Sequence, residues 1–230
     1  MKAILFFLFT AQIYSQDFSK AIEDNSFFIE EAYNQEEGII QHIFTSSYNF
    51  SSKTVEPIFT QEWPMFTQKH QFSYTLPMNY FSKNETELLL NYRYQLINKN
   101  GFAVSPRLSV AIENKNYNFS GMKFNLPISK RWSNDFISHF NFELPDLKNN
   151  NDLNLGMSGI YLLNENFNLM SELLYSKIEN SNEIIFNPGF RHALNFDNLQ
   201  IVSGVGFPLF INSNKIEKGI FLYLSFEHGI

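Results

Sequence analysis

The sequence predicts an all-β fold: an antiparallel transmembrane β-barrel of about twelve strands, with ten as the alternative. An N-terminal signal peptide and a short periplasmic segment are expected to precede the barrel. Two observations carry this prediction. From Gly38 onward, segments of roughly ten residues alternate between polar and apolar side chains and are separated by turns rich in Asn, Asp and Gly. In addition, the last alternating segment, from Gly219 to Ile230, is too apolar to be left as an open sheet edge.

The composition agrees with a barrel and excludes several other classes. Aromatic residues make up 17% of the chain and charged residues only 17%, yet the mean hydropathy is −0.22. A membrane barrel gives such a value because every second residue faces a polar lumen. The net charge of −6 offers no basic surface for nucleic acid, and the lack of cysteine excludes disulfides, thiolate metal sites and a lipid anchor on cysteine.

Residues 1–16 are typical of a secretory signal peptide. Lys2 is followed by an apolar run from Ala3 to Phe9, which is too short to span a bilayer. Cleavage is expected near Ser15 or Gln16. The alternative is a buried first helix.

Residues 17–38 are acidic with interleaved aromatic side chains. In a helix, Ile29, Ala32, Tyr33 and Glu36 would share one side. We therefore expect a periplasmic segment with one or two helical turns at the barrel mouth; the alternative is a disordered acidic leader.

Residues 39–230 are predicted to form the barrel. An even number of strands is typical of bacterial barrels, and the alternating segments meet that expectation. The predicted strands cover residues 39–50, 55–63, 69–78, 87–98, 102–113, 117–129, 135–144, 153–163, 167–177, 183–194, 199–209 and 219–227.

The hairpin around Asn100 offers a test of internal consistency, because opposed residues of an antiparallel pair share one face. A three-residue loop ending at Gly101 would pair Asn98 with Phe102. The same register pairs Arg93 with Arg107 and leaves the other face apolar throughout. On that face it pairs Leu96 with Val104, Tyr94 with Pro106, Tyr92 with Leu108, Leu90 with Val110 and Leu88 with Ile112.

The alternation also predicts which charged side chains face the lumen, since a lipid-facing Arg or Lys at mid-membrane would cost about 2–4 kcal/mol. We expect a charged layer that is either a selectivity constriction or solute site, or a salt-bridge network that only fills a narrow interior. Its predicted members are Arg93, Arg107, Arg191, Glu62 and Glu143. Other side chains predicted to point inward are Lys123, His139, Glu172 and Glu227.

Three aromatic residues are predicted to anchor the barrel at the headgroup level of the membrane. Trp63, Trp132 and Tyr94 all fall near turns on the periplasmic side of the predicted topology. The alternative is that they are ordinary core aromatics.

No catalytic, cofactor or metal site is predicted. The five histidines are His42, His70, His139, His192 and His228. None forms a His–Ser constellation that can be recognised from the sequence, no two share close metal-ligand spacing, and no hydrolase, P-loop or dinucleotide motif occurs.

Two regions carry a resemblance to a known family. Residues 24–43, followed by Phe59–Pro64 and His70–Thr75, resemble a family of Gram-negative outer-membrane barrels often filed as transporters or under the meta-pathway of phenol degradation. The last strand is similar to the carboxy-terminal insertion signal of outer-membrane proteins, with matches at Glu217, Gly219, Leu222, Leu224 and Phe226. The resemblance implies uptake of small compounds, including aromatic ones, and recognition by the outer-membrane insertion machinery.

We therefore expect an exported protein of the outer membrane, surrounded by outer-membrane lipid, that allows passive passage or uptake of small solutes. The alternatives are a structural or adhesive outer-membrane protein with a filled lumen and, third, a lipid-modifying barrel enzyme. The last strand is expected to pair with the first.

Overall fold

A computed structural model of the chain describes residues 26–79, 86–115, 117–148, 151–178, 181–212 and 215–229. The predicted signal peptide lies outside these residues. In the described part of the chain, no helix is long and apolar enough to cross a membrane.

The polypeptide forms one closed antiparallel barrel, as predicted. Fifteen hydrogen-bonded segments make twelve barrel strands, because three of the strands are interrupted. The strands are β1 (Ile39–Asn49), β2 (Thr54–Met65), β3 (Thr67–Pro77), β4 (Glu87–Tyr94 and Ile97–Lys99), β5 (Phe102–Val104 and Arg107–Glu113), β6 (Phe119–Arg131), β7 (Phe136–Leu144), β8 (Leu153–Asn164), β9 (Phe167–Ile178), β10 (Ser181–Phe196), β11 (Leu199–Gly206 and Leu209–Asn212) and β12 (Lys215–Gly229).

The barrel closes between its last and first strands. β12 pairs with β1 in an unbroken register from Ile39↔Gly229 to Asn49↔Gly219. This confirms the predicted partner of the final strand, which begins earlier than expected, at Lys215 rather than Gly219. Closure leaves no unpaired edge on either strand, which is why so apolar a segment is tolerated there.

Side chains alternate between an apolar outer face and a polar lumen. Along β12, Leu222 and Leu224 point outward, whereas Ser225 and Glu227 are buried inside. We call the end at which β1 begins the proximal end, and the opposite end the distal end.

The predicted register of the β4–β5 hairpin is confirmed over most of its length and wrong at its tip. Arg93 pairs with Arg107, and pairing continues up to Glu87↔Glu113. At the tip, however, Lys99 rather than Asn98 faces Phe102. Asn100 and Gly101 both have positive φ, 54° and 67°, so they form a two-residue turn instead of the predicted three-residue loop. The interruptions in both strands absorb the shift of one residue.

The segment before β1 does not form the predicted helix and does not stop at the mouth. Residues 26–38 contain no helix and run into the lumen, where Ile29 and Ala32 are 3% and 0% exposed. We call residues 26–37 the luminal segment. An extended chain leaves its backbone amides free for barrel side chains, whereas a helix would have used them internally.

Candidate functional site

Small residues in the barrel wall make room for the luminal segment. A Cβ added at Gly156 on β8 would collide with Ile29 Cδ1, and one added at Gly189 on β10 would lie 2.6 Å from the Phe27 ring. A Cβ added at Gly204 on β11 would lie 2.7 Å from the same ring. The Phe27 ring also packs 5.2 Å from that of Phe221. The wall therefore has space where the segment needs it, and the two are in close contact.

Glu172 holds the inner end of the segment. Its Oε1 accepts hydrogen bonds from the successive backbone amides of Phe27, Phe28 and Ile29 at 2.9, 2.8 and 3.1 Å. Asn187 Nδ2 donates to Oε2 at 2.7 Å. Amides that converge on a carboxylate stabilise its negative charge, so Glu172 is satisfied although it is 1% exposed.

Three barrel side chains hold the backbone of Ala32. Its carbonyl accepts from Gln95 Nε2 at 2.9 Å and from Ser105 Oγ at 2.5 Å. Its amide donates to Ser129 Oγ at 2.7 Å. Gln95 and Ser105 lie in the interruptions of β4 and β5, so the break in the ladder positions two contacts to the segment.

Arg93 binds residues 31–34 of the luminal segment. Its Nη1 and Nη2 donate to the carbonyls of Glu31 and Tyr33 at 2.9 and 2.8 Å, and Nε donates to Asn34 Oδ1 at 2.9 Å. Nη2 also donates to Gln71 Oε1 at 2.9 Å. One guanidinium thus fixes residues 31–34 by hydrogen bonds to their backbone and to one side chain.

Glu30 pairs with Arg107. The Glu30 backbone is held as well: its amide donates to Asn141 Oδ1, and its carbonyl accepts from Asn141 Nδ2, both at 2.8 Å. The Arg107 and Glu30 side chains are 18% and 27% exposed, so this ion pair is only partly buried.

The structure brings together part of the predicted charged layer. Arg93 and Arg107 face each other, and Gln71 connects Arg93 to Glu62 by donating to Glu62 Oε2 at 2.6 Å. Glu143 lies along the same ladder, opposite Asn125, which in turn faces Arg107.

Arg191 lies elsewhere in the lumen. It is fully buried on β10, with its guanidinium 5.9 Å from the Tyr223 ring. The carboxylate that pairs with Arg107 is Glu30, which sequence reasoning placed outside the barrel. The acidic character of residues 17–38 was the only signal for it.

The remaining predicted residues lie near the expected surfaces. Trp63 packs against Phe72 with ring centroids 5.0 Å apart, and Trp132, 66% exposed, donates from Nε1 to Ser138 Oγ at 2.9 Å. Trp63 lies two residues before the proximal end of β2, Trp132 lies in the turn after β6, and Tyr94 lies on β4 toward the same end. In the proposed insertion signal, Leu222, Leu224 and Phe226 are on the outer face, and Gly219 packs against the Tyr48 carbonyl.

Exposure differs between the two ends of the lumen. Proximal inward side chains such as Gln41, Ser105 and Ser129 are each 0% exposed because the segment covers them. Toward the distal rim, the Lys123–Glu87 pair (3.4 Å) has side chains 27% and 39% exposed. Polar side chains near the distal rim are thus partly exposed, whereas the luminal segment fills the proximal lumen.

One serine–histidine contact was not predicted from the sequence. Ser129 Oγ lies 2.7 Å from His139 Nδ1, across the β6–β7 hairpin. The same hydroxyl accepts from the Ala32 amide, and both residues are buried beneath the segment. No cluster of three or more His, Cys, Asp or Glu suited to a metal ion occurs in the described part of the chain.

No protein-family model and no curated protein matches the sequence. Solved structures do match. The KdgM porin has a TM-score of 0.58 at 11% identity and covers 83% of this chain and 99% of its own. The CymD monoaromatic hydrocarbon channel has a TM-score of 0.53 at 9% identity, covering 85% and 89%.

The NanC porin has a TM-score of 0.51 at 10% identity, covering 82% of this chain and 100% of its own. This chain therefore has the fold of porin-like outer-membrane barrels. The match spans nearly the full length of all three relatives.

Proposed function

We propose that this protein is an outer-membrane channel for small solutes, closed at its proximal half by the luminal segment. The observation that carries the proposal is the division of the lumen. Partly exposed polar side chains lie near the distal rim, and the proximal lumen is filled by the chain's own residues 26–37, whose contacts with the wall are all non-covalent. The segment continues into β1 through Gly38 but is not itself a strand of the wall, so it can leave the lumen without opening the barrel.

The contacts of the segment suit a reversible plug. Its backbone is held by side chains, chiefly Glu172, Asn141, Ser129 and Arg93, and not by a strand ladder. Each neutral hydrogen bond of this kind contributes about 0.5–1.5 kcal/mol net, and each one to Glu172 or Arg93 about 1.5–3 kcal/mol, because water replaces it when the segment moves. Bonds of this kind can be exchanged one by one with water or solute.

The solute class follows from the resemblance of residues 24–43, Phe59–Pro64 and His70–Thr75 to the family of transporter-like barrels. Membership in that family is part of the proposal, and it favours small compounds, including aromatic ones. The similarity to a monoaromatic hydrocarbon channel supports the same class. In this proposal the protein is not an enzyme.

The proposed location is the outer membrane. A cleaved signal peptide over residues 1–16 would export the chain, and the insertion machinery would read the strand ending in Leu222, Leu224 and Phe226. Outer-membrane lipid would then surround the apolar face, with Trp63, Trp132 and Tyr94 at headgroup level.

The second candidate is a structural barrel whose lumen stays filled. The observation in its favour is that the contact between the luminal segment and the wall is fully buried: Ala32, Ser105 and Ser129 are all 0% exposed. In that case the charged residues of the lumen would only hold the segment.

Conductance in planar bilayers separates the two candidates. Glu172→Ala leaves the amides of Phe27, Phe28 and Ile29 without their acceptor and should raise the fraction of time in a conducting state at least severalfold. The matched control is Glu183→Ala, which removes an inward carboxylate of β10 six residues from Gly189. If neither the wild type nor Glu172→Ala shows any conductance although both barrels are folded, the structural barrel with a filled lumen is favoured.

A further inference from the structure

Two histidines meet on the outer wall where the barrel closes. His42 on β1 and His228 on β12 place their Nε2 atoms 3.1 Å apart. The ring planes are within 21° of parallel and the centroids are 5.3 Å apart, so the rings meet edge to edge with the two nitrogens pointing at each other. They are 186 residues apart in sequence, and only closure of the barrel brings them together.

The register explains why both rings point outward. Gln41 and Glu227 are direct partners that share a hydrogen bond inside the lumen, so the next residue on each strand faces the opposite side. The ring of Phe59 on β2 lies 6.2 Å from that of His42 and is tilted from it by only 14°. The His42 ring is thus held between Phe59 and His228.

The hydrogen bonds fix the tautomer of His228. Its Nδ1 lies 3.0 Å from the Gly229 carbonyl, which can only accept, so Nδ1 carries the proton. In the neutral ring, Nε2 then presents a lone pair, and His42 Nε2–H donates to it. A ring with Nδ1–H bound to a carbonyl, which leaves the lone pair on Nε2, is the arrangement found in metal-ligating histidines.

The distance between the two nitrogens suits one metal ion. Nitrogens 3.1 Å apart, each about 2.0–2.1 Å from a shared ion, subtend an angle of roughly 95–102° at that ion. This lies between the square-planar geometry favoured by Cu²⁺ or Ni²⁺ and the tetrahedral geometry of Zn²⁺. Because the two nitrogens point at each other, binding requires both rings to turn toward the common ion, and His42 must also move its proton from Nε2 to Nδ1.

We propose that His42 and His228 form a two-histidine site for a divalent transition metal of the Zn²⁺, Ni²⁺ or Cu²⁺ class. The remaining ligands would be oxygens of water or lipid phosphate, because His228 lies next to the last residue of β12, at the proximal rim. The bound ion would bridge the first and last strands.

Such an ion should stabilise the closed barrel selectively. In the unfolded chain the two ligands are 186 residues apart, so chelation by both requires the β1–β12 register. A ligand that binds only the folded state raises stability with the logarithm of its free concentration. The site therefore predicts a metal-dependent strengthening of the seam.

The test is thermal unfolding of the refolded full chain in detergent, titrated with ZnCl₂. The unfolding midpoint of the wild type should rise with the logarithm of free Zn²⁺. His42→Gln and His228→Gln should each weaken Zn²⁺ binding by roughly tenfold or more. His192→Gln, which removes another outward histidine near the proximal end, should leave the response unchanged.

Electron paramagnetic resonance of Cu²⁺ gives a second readout that does not require the variants to fold. The wild type should show hyperfine coupling to two imidazole nitrogens at one equivalent of copper. Coupling to a single nitrogen, or a Zn²⁺ response that survives in either His42→Gln or His228→Gln, would overturn the proposal.

Discussion

Arg93 and Arg107 are direct cross-strand partners inside the barrel, although both carry a positive charge. Like charges in this position repel each other, so the pair needs compensation. The luminal segment provides it: Glu30 binds Arg107, and the carbonyls of Glu31 and Tyr33 bind Arg93. The segment thus supplies the compensation that the two arginines of the wall need, and the wall in turn holds the segment in place.

Removing the Glu30 charge should therefore destabilise the barrel. We expect Glu30→Gln to lower the free energy of unfolding by about 1–3 kcal/mol, because Arg107 loses its counter-ion beside Arg93. Urea unfolding of the refolded protein measures the change. The double variant Glu30→Gln/Arg107→Gln should recover part of the loss. If the losses of the single variants Glu30→Gln and Arg107→Gln simply add in the double variant, the pair is not coupled.

A side chain at Gly156 should displace Ile29. Its added Cβ collides with Ile29 Cδ1, the end of a flexible side chain that must leave its rotamer, so Gly156→Ala should cost about 0.5–1.5 kcal/mol and loosen the segment. Limited proteolysis of the segment in refolded protein reports the loosening.

The control for this prediction lies on the same strand. A Cβ at Gly159 meets only the Phe136 ring at 3.4 Å, so Gly159→Ala should be much milder. Ile29→Ala combined with Gly156→Ala should restore protection. Unchanged proteolysis in Gly156→Ala would contradict the fit between wall and segment.

A charged residue on the outer face should destabilise the barrel more strongly the deeper it lies in the membrane. Leu222 is 49% exposed in the middle of β12, so Leu222→Arg should destabilise the barrel in liposomes by about 2–4 kcal/mol. Ile216 is 64% exposed near the distal end of the same strand, and Ile216→Arg should cost at most about 1 kcal/mol. Reversible unfolding in lipid vesicles gives both values. Equal costs at the two positions would argue against a membrane around this face.

The two tryptophans should report the headgroup level. The single-tryptophan variants Trp63→Phe and Trp132→Phe leave one indole each, and both indoles lie near the proximal end, Trp63 on β2 and Trp132 in the turn after β6. Their fluorescence should be quenched more strongly by lipids labelled near the headgroup than by lipids labelled at the chain ends. Stronger quenching from the chain ends would place the proximal turns inside the bilayer.

The barrel could be predicted from the sequence because polar and apolar side chains alternate with a period of two residues along each strand. The alternation located all of the strands, and the closing partner of β12 followed from the need to cover an apolar edge. The tip of the β4–β5 hairpin was missed because the interruptions at Gln95 and Pro106 carry no periodic signal.

The luminal segment could not be predicted in this way. Residues 26–37 are held by contacts to side chains far away in sequence, such as Glu172, and an irregular backbone leaves no period. Inward glycines were the available signal, since Gly156, Gly189 and Gly204 interrupt strands where a bulky wall would be expected. The contacts Ser129–His139 and His42–His228 became visible only once the strand registers were known.

The central claim is that the luminal segment must move for solute to pass. Ser26 Oγ lies 2.8 Å from Ser158 Oγ on β8, and the natural chain has no cysteine. Ser26→Cys/Ser158→Cys should therefore form a disulfide that locks the segment in the lumen. Thr60→Cys/Thr75→Cys, which joins two wall strands whose hydroxyls are 3.1 Å apart, serves as the control.

The decisive measurement is solute flux into liposomes containing the Ser26→Cys/Ser158→Cys protein, before and after addition of reductant. We expect negligible flux in the oxidised form and recovery of wild-type flux after reduction, with the wall disulfide having no effect in either state. Equal flux in the oxidised and reduced forms would contradict the account, because solute would then pass with the segment in place.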